Sequence, residues 1–381
     1  MRAYGETTLP PEIRSCFVAN GNGLNMHVLE AGEAGRPCLL LLHGFPELAY
    51  SWRKVMVPLA MAGFHVIAPD QRGYGHTTGA DTSYDGDLRP YNMLNLAHDA
   101  VGLLAALGIR EAVAVAGHDF GSSVAAWCAL LRPDLFRSVA LMSAPFSGPP
   151  SLPFDKAGRA LSDADTLPAV TRITPALAAL TPPRKHYHAY YGTRDADTDM
   201  RKCPQGLHAF LRAYYHQKSG DWPGNTPYLL AAWTAGELAK LPDYYVMPRD
   251  KNMAEAVAPA MPSSDQIAAC RWLTEAEMAV YAREYARTGF QGGLNWYRAR
   301  LVAHLICEHE LFAGRTIDVP ACFFAGASDW GIHQTPGALA AMATRACTQY
   351  RGTHLIAGGG HWVQQEQPEE VTRLLLSFLR T

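Results

Sequence analysis

Cys38-Leu39-Leu40-Leu41-Leu42 is an unbroken apolar run closed by His43-Gly44. A strand with one face in water alternates apolar and polar residues, whereas one buried on both faces does not. Such a run, bounded by turn residues, asks for a sheet covered by helices on both sides, where parallel strands belong. The rest of the first 145 residues agrees. Apolar or β-branched stretches fall near 14–19 and 24–30, and a helical stretch near 50–62. His65-Val66-Ile67-Ala68 reads as the next strand, closed by Pro69-Asp70. Residues 91–107 are amphipathic, with Leu94, Leu96, Val101, Leu103 and Leu104 apolar. Val113-Ala114-Val115-Ala116 is a strand that passes at Gly117 into a helix through Leu131, and Ser138-Val139-Ala140-Leu141-Met142 is one more. Strands alternating with helices mean βαβ units and a mostly parallel sheet.

After Pro145 the pattern changes. Residues 146–300 hold no convincing strand, and helical stretches fall near 205–217, 227–240 and 273–288. Strands return at Ala321-Cys322-Phe323-Phe324-Ala325 and around 348–356, and a last helix starts at Pro368 with Glu369 and Glu370 in its first turn. The expected organisation is an α/β core in two parts, 1–145 and 301–381, interrupted by a helical lid at 146–300.

Composition narrows the function classes. With 33 Lys plus Arg against 35 Asp plus Glu, the chain carries a net charge of −2, and a nucleic-acid or anionic-membrane surface would need a basic excess. No apolar run is long enough to span a bilayer, and the first residues lack the apolar core of a signal peptide. The eight cysteines are scattered with no C-x-x-C pair, which reads as free thiols in a reducing, cytoplasmic setting.

Gly117-His118-Asp119-Phe120-Gly121 lies directly between a strand and a helix. Small-x-nucleophile-x-small at such a junction is the pattern of a nucleophile elbow. Here the central residue is Asp119, whose carboxylate needs no base to become a nucleophile. The competing role is that of an ordinary helix N-cap. His43-Gly44-Phe45-Pro46-Glu47 follows the first buried strand, where this architecture supplies one oxyanion-hole N–H. The expected donors are the amides of Phe45 and Phe120. The Phe45–Pro46 peptide is expected to be cis. In the order nucleophile, acid, histidine, Asp329 sits just past a strand and His361 follows Gly358-Gly359-Gly360. His354 lies within the strand and is expected to pack there.

These motifs, with Asp70-Gln71-Arg72-Gly73-Tyr74-Gly75, resemble the α/β-hydrolases that use an aspartate nucleophile, and among them the soluble epoxide hydrolases. The resemblance covers 24–145 and 318–381 well and the lid in patches. It implies an eight-stranded sheet and hydrolysis of a small epoxide to a vicinal diol. No cofactor, metal, nucleic acid or membrane insertion is called for, and homo-oligomers are allowed. Leu294-Asn295-Trp296-Tyr297-Arg298 is similar to the lid segment carrying one epoxide-binding tyrosine, here Tyr297. His186-Tyr187-His188-Ala189-Tyr190-Tyr191 is similar to the segment carrying the other; matching puts it at Tyr187, with Tyr190 and Tyr191 close by. The same resemblance places His118, Trp330, Trp296 and Pro46 beside the substrate.

Two features depart from the pattern. Phe120 stands where the family often has Trp, and 218–265 lengthens the lid. A dehalogenase would use the same Asp119–His361–Asp329 set. It needs groups for the leaving halide, and Phe120 has no N–H to offer from its ring. A non-catalytic small-molecule receptor on the same fold is the third reading. Asp195, Asp197 and Asp199 have calcium-loop spacing, but Met200 and Gly206 stand where Gly and Glu are needed, so a solvated loop is expected. His304, Cys307 and His309 lack a fourth ligand and are expected to pack. Gly358-Gly359-Gly360 is not followed by the helix of a dinucleotide loop.

Overall fold

The apolar runs become strands of one sheet in the computed structural model, which describes residue 4, residues 8–150 and residues 167–380. Ten strands form among the described residues. They are β1 (Arg14–Ala19), β2 (Asn25–Ala31), β3 (Cys38–Leu42), β4 (His65–Pro69), β5 (Ala112–His118), β6 (Val139–Met142), β7 (Arg184–His186), β8 (Val246–Pro248), β9 (Ala321–Gly326) and β10 (Tyr350–Ile356). Eight of them make a sheet in the order β1-β2-β4-β3-β5-β6-β9-β10. β1 and β2 run antiparallel to their neighbours, and the other pairings are parallel. All five residues of β3 are buried, as an unbroken apolar run requires.

The helix Phe120–Leu131 packs on β5, β6 and the helix Met93–Ala106. The latter begins where Asn92 accepts the Leu94 N–H at 3.3 Å, and it buries Leu96, Ala100, Leu103 and Leu104 on one stripe. Between β6 and β9 the chain is mainly helical. Reciprocal caps start three of its helices: Asn252 with Glu255, Ser263 with Gln266, and Thr274 with Glu277.

Several expectations are corrected here. The lid does contain strands: β7 and β8 pair antiparallel, too short at three residues each to leave a periodic signal. The helix expected over 227–240 shrinks to Ala235–Leu238, and residues 225–230 before it form neither helix nor strand, with Pro227 lacking the N–H a helix would use. The acids at 195–199 do not form a solvated loop. Asp197 accepts the Gln291 N–H at 3.1 Å at the start of the helix Gln291–Ala299, and Asp199 accepts the Tyr190 hydroxyl at 3.0 Å. His304 and Cys307 are exposed rather than packed, while His354, though exposed, lies in β10 with its ring edge-on to Phe324 at 5.4 Å. His309 bonds Asn92 at 2.7 Å.

Candidate active site

At the end of β5 the chain turns straight into the helix Phe120–Leu131, and Asp119 makes the turn at φ 52°, ψ −120°. A Cβ on Gly117 would lie 2.1 Å from the Gly121 carbonyl oxygen, and one on Gly121 would lie 2.2 Å from that of Leu42. Only glycine fits at either place. The Asp119 side chain makes no cap hydrogen bond, so the ordinary N-cap role does not apply. Its Oδ1 instead accepts the Phe45 N–H at 3.0 Å, and its Oδ2 lies 3.3 Å from His361 Nε2. The Phe45–Pro46 peptide is cis. His361 Nδ1 is 3.1 Å from Asp329 Oδ1, which also accepts the Gly331 N–H at 2.7 Å.

The loop carrying His361 is held at three successive amides. Gly360 and Trp362 donate to the Glu366 carboxylate at 2.9 and 2.8 Å, and His361 donates to the Lys218 carbonyl at 2.8 Å. The imidazole thus keeps its aim on both carboxylates although three glycines precede it.

Burial would raise the Asp119 pKa, but the imidazole of His361, the ammonium of Lys218 and His118 outweigh it and hold the carboxyl well below the usual range. Asp329 is also lowered: burial opposes ionisation, and His361, Ser143 and the Gly331 amide overcome it. Tyr187 and Tyr297 are pushed the other way, first by burial and then by the Asp119 charge, so both phenols stay protonated.

The two lid segments meet over Phe45 and Phe120. The Tyr297 ring stands edge-on to Phe120 at 4.9 Å, to Phe45 at 5.4 Å and to Tyr187 at 5.9 Å. The Tyr187 hydroxyl donates to Gln334 at 2.9 Å. Tyr190 turns its hydroxyl to Asp199, and Tyr191 donates to Tyr214 at 3.2 Å. Tyr187 is therefore the phenol of this segment that senses the Asp119 charge.

Two of the residues expected beside the substrate sit elsewhere. His118 is fully buried, with Nδ1 2.5 Å from Glu47 and Nε2 shared between Ser143 and the His361 carbonyl. No ring nitrogen is left for a ligand, because side chains alternate along β5 and this one points under the sheet edge. Trp296 donates its indole N–H to the Arg72 carbonyl at 2.9 Å and packs behind Phe120. Pro46 lies at the cis bend, where its carbonyl accepts the Tyr215 hydroxyl at 2.8 Å. Trp330 follows Asp329, buried with its indole N–H unpaired and its ring against Tyr228.

Lys218 was missed by sequence reasoning. A lysine ending a helix reads as a surface cation answering the helix dipole. Here it is 3% exposed, and its Nζ lies 5.1–5.7 Å from the ring centroids of Tyr214, Tyr244, Tyr245 and Trp362. Tyr244 and Tyr245 come from the lengthened lid, which thus closes an aromatic cage around a positive charge that Asp119 feels. No group of three or more His, Cys, Asp or Glu side chains among the described residues could hold a metal ion.

With sheet, elbow and lid in place, comparison with known proteins is specific. Residues 37–368 match the α/β hydrolase fold family, and the chain belongs to that family. Within it the chain is similar to epoxide hydrolase A of Mycobacterium tuberculosis, 35% identical over 94% of this chain and 95% of the relative. Among solved structures it is similar to an epoxide hydrolase from an endophytic Streptomyces, with a TM-score of 0.75 and 30% identity over 97% of this chain and 96% of the other. It is also similar to epoxide hydrolase A of Mycobacterium thermoresistibile, with a TM-score of 0.71 and 33% identity over 97% and 98%.

Proposed function

We propose that this protein hydrolyses epoxides to vicinal diols through an ester on Asp119. The observation that carries the reading is the buried Asp119 carboxylate, held between the Phe45 amide and His361, with the Tyr297 ring against Phe45 and Phe120 and the Tyr187 ring against Tyr297. Oδ1 already rests on the Phe45 amide, so Oδ2 attacks the epoxide carbon. A carbon–oxygen bond to Oδ2 forms as the ring C–O bond breaks, and the ring oxygen takes a proton from a phenol. His361, oriented by Asp329, then removes a proton from water, and the resulting hydroxide adds to Cγ of Asp119. The oxyanion forms on Oδ1, where the Phe45 amide waits and the Phe120 amide is the second donor. Collapse breaks the ester bond, the departing alkoxide takes the proton from His361, and the second proton of the water restores the phenol.

The test is turnover of styrene oxide against a chloroalkane, with diol and halide both assayed. Diol without halide is expected. Halide release would favour a dehalogenase, and neither product a receptor. The phenols supply the next check. Tyr187→Phe and Tyr297→Phe should each slow single-turnover ester formation by roughly a hundredfold, the usual loss for one donor to a developing oxyanion, and the double variant should lose nearly all of it. A larger effect from Tyr190→Phe would displace Tyr187 from this role.

No helix among the described residues is long and apolar enough to cross a membrane. The eight unpaired cysteines support a cytoplasmic location.

A further inference from the structure

Arg300 is an arginine beside the site with no carboxylate partner among the described residues. Arg53 reaches Glu277, Arg72 reaches Asp99 and Arg212 reaches Glu275. Arg300 has no hydrogen bond and no ion pair among the described residues. It caps the helix Gln291–Ala299, three residues beyond Tyr297 and so on the same side of that helix. Its guanidinium carbon lies 5.2 Å from the centroid of Phe120, the residue next to Asp119. The side chain is exposed, and with its guanidinium over Phe120 it stands at the edge of the site, where a ligand can reach it.

Its surroundings add donors and no competing anion. His186 and His309 are lowered first by burial and then by the Arg300 charge, and His188 by burial, then His186, then Arg300, so all three stay neutral. Asp119 is the carboxylate whose charge reaches Arg300, and its oxygens are already engaged by the Phe45 amide and His361. A guanidinium presents five N–H donors in a fork that matches a carboxylate. No protein carboxylate among the described residues uses them, so the fork is open to an incoming anion. An aromatic face and neutral imidazoles beside one cation suit a monoanion better than a phosphate dianion.

We propose that Arg300 binds a carboxylate on the substrate, so that the preferred epoxides are epoxy acids held with the ring between Asp119 and the two lid tyrosines. This rests on the epoxide-hydrolase reading and adds a substrate class to it. It also explains how an anionic substrate tolerates an anionic nucleophile: the guanidinium offsets the repulsion at the far end of the molecule.

The experiment compares para-carboxylated styrene oxide and an ω-epoxy fatty carboxylate, each with its neutral methylamide, in wild type, Arg300→Gln and Arg300→Lys. Wild type should favour the carboxylate by about tenfold or more in kcat/KM, the factor one modest charge-assisted contact supplies. Arg300→Gln should bring the ratio near one, and Arg300→Lys should keep part of it. A purely structural role would lower both substrates together and leave the ratio unmoved, which would overturn the proposal. So would the absence of any carboxylate preference in wild type. Unsubstituted styrene oxide separates the two levels: its hydrolysis without a carboxylate preference sinks the Arg300 assignment alone. If no epoxide is hydrolysed, calorimetry with benzoate against benzamide still reads the site. Benzoate should bind more tightly, and Arg300→Gln should erase the difference. Equal or absent binding would end the proposal.

Discussion

An Asp119→Ala variant should fold normally and form no detectable diol from any epoxide. The side chain sits at the one position where the strand-to-helix turn lifts an acceptor out of the sheet, with the Phe45 amide on one oxygen and His361 on the other. No neighbouring carboxylate can take its place, because Asp329 lies behind His361 and Glu47 is paired with His118 below. Stability should change little. The positive φ at this position strains alanine as it strains aspartate, at about 1–2 kcal/mol. The thermal midpoint should stay within roughly 3 °C of wild type, since one kcal/mol moves Tm by only a few degrees in a large domain. Diol assay with circular dichroism is the measurement. Turnover near the wild-type rate would remove Asp119 from the role of nucleophile.

The second large effect concerns the order of events. His361→Gln should stop hydrolysis while alkylation continues, because an ionised carboxylate attacks without help and the imidazole is needed only for the water. The variant should accumulate as a covalent ester, heavier by one substrate mass, on the peptide containing Asp119. Intact-protein mass spectrometry with excess epoxide reads this directly. In wild type, a single turnover in heavy-oxygen water should leave the label in the enzyme and none in the first diol formed. A serine hydrolase that loses its histidine also loses the first step, so it would show no adduct. Alkylation slowed by loss of the nearby imidazole still supports the scheme. Diol formed at the wild-type rate with no adduct would overturn it.

Much of this was legible in the chain. The unbroken run at Cys38–Leu42 called for a sheet covered on both faces, and it lies buried beside β4 and β5. The glycines around Asp119 marked a turn too tight for a Cβ, and the contacts at Gly117 and Gly121 are the reason. The order of Asp119, Asp329 and His361 could be read because each follows a strand, and strand ends collect at one edge of a parallel sheet.

The lid was less readable. Its two strands have three residues each, and its tyrosines are alike in sequence. Only the packing shows Tyr190 turned to Asp199 and Tyr187 turned inward.

The sheet, the tight turn and the candidate residues Asp119, Asp329 and His361 were legible along the chain, because hydrophobic period and backbone sterics act over a few neighbours. Tertiary structure alone decided which charges those residues feel. Lys218 ends a helix and reads locally as a solvated cation. Folding instead brings Tyr214, Tyr244, Tyr245 and Trp362 around it. Coulomb energy depends on distance in space and on burial, and neither is a property of position along the chain. The same holds for His118, which sequence places beside the nucleophile and the pleat of β5 turns toward Glu47.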